Sequence, residues 1–402
     1  MADALDVLIV GAGQAGLAVS HGLTALGVEH LVLERGRVAQ TWRDRWDSFC
    51  LVTPNETIRL PGATYAGDDP DGFLQKAEVV DHFEQWAGSF RAPVREGVAV
   101  TSLELSDGQG FVLETSAGAL RARSVVVCTG AYQRPYRSTR PSDGLVELDA
   151  QAYTNEAALP PGKVLVVGSG QTGCQLAEEL NGAGREVTLS CGRAPWAPRR
   201  LGGRDTISWL VDAGFYEQTA ADLPSPAARL AANVQVTGRD GGHDLNYRTL
   251  RELGVTLVGR FLGAEEGHLY FGADLADSVA FGDARYADLR TLVREYCARV
   301  GIDAPELPDP PPFDPTAPDR LAADGFGVVL HTCGFRPDYA SWMRVDAFDE
   351  LGFPLHDDGA SSTAPGLYFC GVHFLRKRKS SLLMGVGEDA AITAEAIAAR
   401  HA

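Results

Sequence analysis

The sequence predicts an α/β fold built on two doubly wound parallel sheets, and three observations support this prediction. A short apolar run that leads into a G-x-G-x-x-G turn occurs twice, at residues 7–16 and 164–173. Each turn opens a segment with helical apolar spacing, at residues 17–26 and 174–180. A second apolar run follows each helical segment, and such strand–helix–strand units are typical of doubly wound sheets. These second runs are residues 30–33 and 186–189.

Length and composition fit two globular domains. The chain has 402 residues, of which 45% are apolar and 22% charged, and its net charge of −17 argues against nucleic-acid binding. Seven cysteines without Cys-x-x-Cys spacing argue against a disulfide framework, a zinc knuckle and a redox-active dithiol. We see no signal peptide and no apolar run of bilayer length, so we expect a cytoplasmic protein with no metal site and no membrane contact.

Further elements follow along the chain. The proline-rich residues 303–320 predict an extended connection, and residues 381–400 have a helical pattern. Additional strands are predicted at residues 111–115, 124–127, 327–331 and 366–369. The predicted organisation is one dinucleotide-binding domain formed by residues 1–155 and 326–402, with a second domain, residues 156–325, inserted in it.

The first glycine turn has the full context of a dinucleotide site. Gly11 permits the tight turn, Gly13 lets the backbone approach a pyrophosphate, and Gly16 lets the helix pack on the strand. Glu34 ends the next strand, where a carboxylate accepts hydrogen bonds from both ribose hydroxyls. A plain glycine-rich turn would lack this acid.

The second glycine turn lacks the acid. The equivalent position holds Cys191, and Arg193 follows it, with Arg199 and Arg200 just beyond. Without a carboxylate a ribose 2′-phosphate is not repelled, and a guanidinium can bind it. The second site therefore favours NADPH over NADH, unless these arginines are solvated surface charge. Two dinucleotide sites suggest hydride transfer from a nicotinamide to a flavin.

Beyond the two turns, the chain resembles the class B flavin-dependent monooxygenases, with CzcO-like bacterial flavoproteins nearest and plant YUCCA enzymes more distant. The resemblance implies two Rossmann-like dinucleotide-binding domains, with the NADPH domain inserted in the FAD domain. It extends over nearly the whole chain and rests on residues 41–43, 51–55, 60–62, 128–130, 332–338, 367–371 and 379–390.

The motifs and the resemblance together name the residues expected to contact FAD or NADPH. They are Gly11, Gly13, Gln14, Ala15, Gly16, Glu34, Arg35, Thr41, Trp42, Thr129, Gly130, Gly168, Gly170, Gln171, Thr172, Gly173, Arg193, Arg199, Arg200, Gly334, Gly371, Ser381, Leu382 and Leu383.

Several positions take a specific role from the resemblance. Trp42 matches the aromatic beside the flavin, and Gly371 would lie near the ribityl chain. Ser381 would begin the final helix and point its N-terminus at the flavin pyrimidine edge. Asn55 is the candidate catalytic residue near the reactive flavin atoms, and a turn asparagine after Pro54 is the alternative. The basic residues 376–379 form either a solvated loop or an anion contact.

The resemblance implies an NADPH-dependent FAD monooxygenase that uses molecular oxygen and a C4a-(hydro)peroxyflavin. It would oxygenate a small organic substrate at nitrogen, sulfur or a ketone, and a homo-oligomer is open. One departure stands against it: Asp149, four residues before Tyr153, replaces the histidine of the family fingerprint. A flavin oxidase or dehydrogenase of the same fold, or a non-catalytic cofactor-binding protein, therefore stays an alternative.

Overall fold

The computed structural model describes residues 5–106, 110–130, 132–138 and 144–402. Residues 1–4 of the predicted first domain lie outside the described part. The described α-helices are α1 (Gln14–Ala25), α2 (Gln40–Arg43), α3 (Lys76–Ser89), α4 (Gln171–Gly182), α5 (Thr206–Asp212), α6 (Tyr247–Glu252), α7 (Leu275–Val300) and α8 (Val386–His401).

The strands are short and fall into several sheets. They are β1 (Leu5–Val10), β2 (His30–Leu33), β3 (Arg59–Leu60), β4 (Ala63–Thr64), β5 (Val94–Arg95), β6 (Val100–Leu105), β7 (Phe111–Thr115), β8 (Leu120–Val127), β9 (Arg134–Pro135), β10 (Val146–Asp149), β11 (Lys163–Val167), β12 (Val187–Ser190), β13 (Arg200–Leu201), β14 (Arg204–Asp205), β15 (Thr256–Val258), β16 (Phe261–Glu265), β17 (His268–Phe271), β18 (Arg320–Ala322), β19 (Phe326–His331), β20 (Phe335–Arg336), β21 (Met343–Arg344), β22 (His356–Asp357), β23 (Ala360–Ser361) and β24 (Leu367–Phe369).

The first sheet carries the first glycine turn. Its parallel centre runs β24–β8–β1–β2–β5, and the antiparallel strands β6 and β7 extend it beside β8. The central residues Val7, Leu8 and Ile9 are fully buried, which explains the continuous apolar run in the sequence. Helix α8 packs on α1 so closely that a Cβ on Gly22 would lie 2.9 Å from the Ala394 Cβ. This packing brings the C-terminal helix back to the start of the chain.

The second sheet is wholly parallel, in the order β10–β19–β11–β12–β15. Two of its strands come from outside the predicted inserted segment. Strand β10 pairs with β19, and β19 pairs with β11, whereas the predicted boundaries had left both with the first domain. Both strands therefore belong to the second sheet, which corrects the predicted boundaries. Without β19, strand β11 would be an edge of this sheet, and without β10, strand β19 would be an edge.

The chain passes between the two sheets through a pair of crossing segments. Strands β9 and β20 belong to these segments and pair antiparallel with each other. The side chain of Gln133 joins the segments, since it donates to the Gly130 carbonyl (3.0 Å) and accepts from the Asp338 N–H (2.5 Å). The crossing is therefore a two-stranded ribbon, which fixes the relative position of the carboxyl ends of both sheets.

The last helix begins later than the sequence predicts. Helix α8 starts at Val386, and residues 380–385 form hydrogen-bonded turns. The Ser380 hydroxyl accepts from the backbone N–H groups of Arg376 and Lys377, at 3.0 and 2.9 Å, which closes the preceding loop. Ser381 therefore does not begin the helix, because the preceding residue, Ser380, is hydrogen-bonded to the 376–377 backbone.

The predicted extended connection, residues 303–320, has no regular secondary structure as far as residue 319, and Arg320 begins β18. Two arginines of α6 hold this segment, since Arg248 donates to the Pro311 carbonyl (2.7 Å) and Arg251 binds the Asp314 carbonyl. Within the described residues, no helix is long and apolar enough to span a bilayer.

Candidate dinucleotide-binding sites

The first glycine turn separates into two packed glycines and one open glycine. A Cβ on Gly11 would lie 2.6 Å from the Cys128 carbonyl oxygen, and one on Gly16 would lie 1.8 Å from the Gly11 carbonyl oxygen. Gly11 also has a φ of +105°, which favours glycine. A Cβ on Gly13 would meet nothing within 4 Å. The middle glycine thus faces open space, as a backbone that approaches a phosphate must.

The start of α1 fits an anion. Gly13 is its N-cap and supplies no side-chain hydrogen bond, so the N–H groups of the first turn have no capping partner. Beside this turn, the buried Glu34 carboxylate accepts from the N–H groups of Ala12 (2.8 Å) and Gly36 (2.9 Å). These two bonds fix the carboxylate and leave each oxygen a further lone pair for a ribose hydroxyl. Arg35 and Thr41 are exposed nearby.

A chain of polar contacts links the first turn to the C-terminal segment. The Trp42 indole donates to the Gln14 side-chain oxygen (3.2 Å), and the Gln14 amide donates to the Ser381 carbonyl (3.2 Å). A Cβ on Gly371 would lie 2.5 Å from the Ala15 Cβ. The structure thus brings these predicted residues together at one place, although they come from opposite ends of the sequence.

The same segment contains a half-buried histidine that the motifs do not indicate. The His373 Nδ1 atom lies 3.2 Å from the Ser381 hydroxyl. Burial, assisted by the positive charge of Arg378, lowers the pKa of His373 to about 4. The imidazole is therefore neutral at pH 7, where it orients the Ser381 hydroxyl. Leu382 and Leu383 follow, and Leu383 accepts the Arg59 N–H (3.2 Å).

The second glycine turn repeats the geometry of the first. Gly168 has a φ of +102°, and a Cβ on Gly173 would lie 2.0 Å from the Gly168 carbonyl oxygen. The middle glycine, Gly170, faces open space apart from the Ala232 Cβ at 3.7 Å. Gly170 caps α4 without a side-chain bond, and Gln171 and Thr172 begin the helix. This turn therefore also fits a pyrophosphate.

The residues that follow β12 include a buried cysteine and an exposed arginine. Cys191 is buried and Arg193 is exposed at the surface, free to reach a ligand. Burial raises the pKa of the Cys191 thiol, so this position carries no negative charge. The prediction for Arg193 as the phosphate-binding cation stays compatible with its position.

The structure places Arg199, a predicted phosphate contact, in a buried set of bonds within the chain. Its guanidinium is buried, forms an ion pair with Asp205, and donates to the Val52 carbonyl (2.9 Å). It also stacks over the Phe73 ring, with 4.4 Å to the ring centroid. Arg199 thus holds the second domain against the first, and a move of its guanidinium away from Asp205 to a phosphate would leave that buried carboxylate without its partner.

Arg200 is exposed, but its guanidinium donates to the carbonyl oxygens of Gly241 and Gly242, both at 2.8 Å. These bonds direct it toward the 239–242 turn, so a phosphate contact would require it to leave that turn.

The crossing segments provide the predicted small residues at the ends of β8 and β19. Gly130 and Gly334 have φ values of +84° and +83°, and a Cβ on either would meet nothing within 4 Å. Thr129 is exposed beside Gly130 and accepts from Gln133 (3.1 Å). Open space over both glycines fits the close approach of a dinucleotide.

The side chain of Asn55, the predicted catalytic residue, is hydrogen-bonded at both ends within the chain. Its amide donates to the Asp69 carbonyl (3.0 Å), and its oxygen accepts from the Leu74 N–H (2.8 Å). The side chain is 2% exposed. Both ends are thus used to close the 69–74 loop, an arrangement that favours the alternative of a turn asparagine.

Asp149, which stands where the family fingerprint has a histidine, is part of a charged cluster. Arg137 donates to both Asp149 oxygens, at 2.9 and 3.0 Å, and to Glu147 at 2.8 Å. The buried His331 lies opposite Asp149 in the register, with its Nε2 atom 3.3 Å from Glu147. The carboxylate of Asp149 therefore pairs with the crossing segment.

The basic residues 376–379 are neither a solvated loop nor a free anion site. Lys377 and Lys379 both bind Glu217 of the second domain, at 2.7 and 2.5 Å. They also bind Glu388 of α8, at 3.1 and 2.5 Å. This lysine–glutamate cluster ties the Ser381 segment to the second domain.

The model of the pyridine nucleotide-disulphide oxidoreductase family matches residues 8–211. This match covers both glycine turns and half of the chain. The chain belongs to the pyridine nucleotide-disulphide oxidoreductase family. As a member, it is an oxidoreductase with two dinucleotide-binding domains.

Individual relatives agree with the resemblance predicted from the motifs. An uncharacterized CzcO-like oxidoreductase of Geobacillus kaustophilus is 29% identical over 396 residues, which cover 97% of each chain. Indole-3-pyruvate monooxygenase YUCCA4 of Oryza sativa is 28% identical over 52% of this chain and 53% of its own. A solved flavin monooxygenase of Stenotrophomonas maltophilia, in a mutant form, covers all of both chains at 18% identity with a TM-score of 0.69. The predicted fold and the resemblance to these families are confirmed.

Sequence reasoning missed Tyr247, His373 and the lysine–glutamate cluster. Tyr247, His373 and Glu217 belong to no motif, whereas Lys377 and Lys379 were noted only as part of the basic run. Tyr247 contacts the second turn from α6, whereas its only sequence signal is a helix start after Asn246. His373 lies two residues after Gly371, and this proximity to a predicted site residue could have indicated it.

Proposed function

We propose that this protein is an NADPH-dependent FAD monooxygenase that oxygenates a small organic substrate at nitrogen, sulfur or a ketone. FAD binds at the first glycine turn and NADPH at the second. The observation that carries this proposal is the shared geometry of the turns, in which Gly13 and Gly170 face open space while their neighbours are packed. Two such cradles on one chain fit a nicotinamide and a flavin.

Different residues of the chain would bind different parts of the FAD molecule. The N–H groups at the start of α1 hold a pyrophosphate, and the Glu34 carboxylate accepts the ribose hydroxyls. Gln14 keeps Trp42 and Ser381 in contact around the first turn. Neutral His373 fixes the Ser381 hydroxyl. Bound FAD supplies the hydride acceptance and the reaction with oxygen, so the protein needs few acid–base groups.

The names of relatives support monooxygenation over simple reduction of oxygen. YUCCA4 and the Stenotrophomonas protein are both monooxygenases by name. An NADPH oxidase is the second candidate, and the Arg137–Asp149 pair favours it, because the fingerprint histidine is replaced by a carboxylate that is already paired.

Isotope labelling distinguishes these two functions. The FAD-loaded protein is given NADPH and ¹⁸O₂ with a thioether, a tertiary amine and a cyclic ketone in turn. A monooxygenase transfers one labelled atom into a product for part of the NADPH consumed. Hydrogen peroxide equal to the NADPH consumed, with every substrate, would favour the oxidase. No bleaching of the flavin by NADPH without oxygen would contradict both.

The assignment of NADPH has a separate test in two arginines. Arg193→Ala is expected to weaken NADP⁺ binding by about tenfold while NAD⁺ binding stays within about twofold, since the loss is that of one phosphate contact. Arg299→Ala is the matched control, because this exposed arginine of α7 packs over the Tyr296 ring and belongs to neither predicted site. Equal weakening of both nucleotides by Arg193→Ala would contradict the assignment.

The cysteines support a reducing compartment such as the cytoplasm. All seven are free, and six of them are buried. Free thiols in this number are typical of a reducing environment.

A further inference from the structure

A closed ring of three hydrogen bonds lies beneath the second glycine turn. The Gly192 N–H donates to the Ser169 hydroxyl (2.8 Å), and the Tyr247 hydroxyl donates to the Gly192 carbonyl (2.6 Å). The two hydroxyl oxygens are 2.5 Å apart. Because the phenol has one proton and gives it to Gly192, the Ser169 hydroxyl donates to the Tyr247 oxygen. Both polar groups of Gly192 are thus held by side chains.

The ring is buried and uncharged. Ser169 is 2% exposed and Tyr247 is 4% exposed. Burial raises the pKa of the Tyr247 phenol, so it stays protonated. From below, Gln235 donates to the Ser169 carbonyl (2.6 Å), which fixes the backbone that carries the serine. The hydroxyl ring therefore imposes a defined position on Gly192 without any negative charge.

At the first turn, a charged side chain holds the neighbouring loop in place. There the Glu34 carboxylate accepts from Ala12 and Gly36 and so holds the loop after β2. Ala12 has the motif position that Ser169 has in the second turn. Gly36 follows Glu34 by two residues, as Arg193 follows Cys191. Each turn is thus joined to the loop after its second strand, by an anion in one case and by hydroxyls in the other.

This difference bears on which ribose the second site accepts. A carboxylate in the place of the ring would repel a 2′-phosphate, because like charges at short range in a partly buried site are unfavourable. The ring keeps the loop in place without that repulsion. Arg193 is the next residue after the clamped Gly192, so the ring also sets where its guanidinium starts.

We propose that Ser169 and Tyr247 are positioning residues that determine the preference of the second site for NADPH over NADH, by holding Gly192 and Arg193 in place without a negative charge. This inference rests on the proposed function and specifies the recognition of the 2′-phosphate. Neither hydroxyl is available to the ligand, because both are used within the ring.

Equilibrium binding of NADP⁺ and NAD⁺ to the full-length FAD-loaded protein, measured by titration calorimetry, tests the inference. Tyr247→Phe is expected to weaken NADP⁺ by about tenfold and NAD⁺ by less than about threefold, since one buried hydrogen bond is lost. Tyr286→Phe is the matched control, because its hydroxyl is buried and has no hydrogen-bond partner among the described residues. It should leave both nucleotides within about twofold, given that no bond is removed.

A second variant guards against a folding defect. Ser169→Ala removes the other hydroxyl and should lower the NADP⁺ to NAD⁺ affinity ratio in the same way. If the ring acts through Arg193, combining Tyr247→Phe with Arg193→Ala should give a ratio no lower than that of Arg193→Ala alone.

The outcomes separate the inference from the proposed function. A wild-type protein that binds NAD⁺ as tightly as NADP⁺ would contradict the NADPH assignment, and the inference with it. A wild-type protein that prefers NADP⁺, with an unchanged ratio in both hydroxyl variants, would overturn the inference alone. Additive effects of Tyr247→Phe and Arg193→Ala on the ratio would also overturn it, because they would mean independent action.

Discussion

The two glycine turns have the same backbone and differ in what stabilises the loop beside them. Gly11 and Gly168 have φ values of +105° and +102°, and both third glycines lie against a carbonyl oxygen. The first loop is held by the carboxylate of Glu34, and the second by the hydroxyls of Ser169 and Tyr247. A repeated motif therefore retains the same tight turn, while the groups that hold the loop beside it differ in charge.

The largest expected effect tests the two arginines that follow the second turn. Arg199→Ala should lower the free energy of unfolding by about 3–5 kcal/mol, because it leaves Asp205 buried without its partner. Arg193→Ala should change stability by less than about 0.5 kcal/mol, as its exposed side chain is not part of the packing. Urea denaturation of both variants measures the difference. A stable Arg199→Ala protein that has lost its NADP⁺ preference would instead support the phosphate role predicted for Arg199.

The next effect tests whether the turns are equivalent. Gly16→Ala and Gly173→Ala should each lower the free energy of unfolding by about 3 kcal/mol, because the new Cβ overlaps a backbone carbonyl oxygen.

Gly13→Ala and Gly170→Ala are the matched controls for these two variants. They should keep stability within about 1 kcal/mol and should weaken only the dinucleotide bound at their own turn. Thermal unfolding together with flavin retention and NADP⁺ titration checks both sets. If Gly170→Ala released FAD and kept NADP⁺, the assignment of the two turns would be reversed.

The free energy of unfolding should depend on pH through a histidine beside the first glycine turn. Burial lowers the pKa of His373 to about 4, below the value of an unfolded histidine. Stability is therefore lost as the pH falls below about 6.5, since only the unfolded chain then takes up the proton. The expected loss from this group between pH 7 and pH 5 is about 2 kcal/mol.

His373→Gln should remove that part of the acid sensitivity, as measured by denaturation at both pH values. His268→Gln, on the small antiparallel sheet of β16–β18, is the control. An acid sensitivity that persists in full in His373→Gln would show that the pKa of His373 is not lowered in the folded protein.

The smallest expected change in stability concerns the ion pairs between the C-terminal segment and the second domain. Glu217→Gln removes an acid that binds Lys377 and Lys379 from the second domain. Its side chain is half exposed, so the cost should be less than about 1 kcal/mol and should vanish in high salt. Hydrogen exchange of residues 376–385 provides the more sensitive measurement. Unchanged exchange at low salt would mean that the cluster does not hold this segment.

Some of the site could be predicted because the relevant signal is local. Gly16 and Gly173 are recognisable in a sequence, since the turn that needs them is formed by neighbours. Arg193 and Arg199 look alike at that level, yet one is exposed and the other buried. Burial depends on Asp205 and on Val52 from the other domain, which no local pattern reports. The bonds of Asn55 to the 69–74 loop are likewise invisible in its local sequence.

The sequence by itself determined the two doubly wound sheets, their glycine turns, the acid at Glu34 and its absence at Cys191, because each is set by neighbours in the chain. Only the tertiary structure decided which strands complete the second sheet, where the last helix begins, and that Tyr247 lies against Ser169. These features depend on contacts between segments distant in the sequence. Such contacts form only when whole helices and strands pack together, so the sequence around each residue does not reveal them.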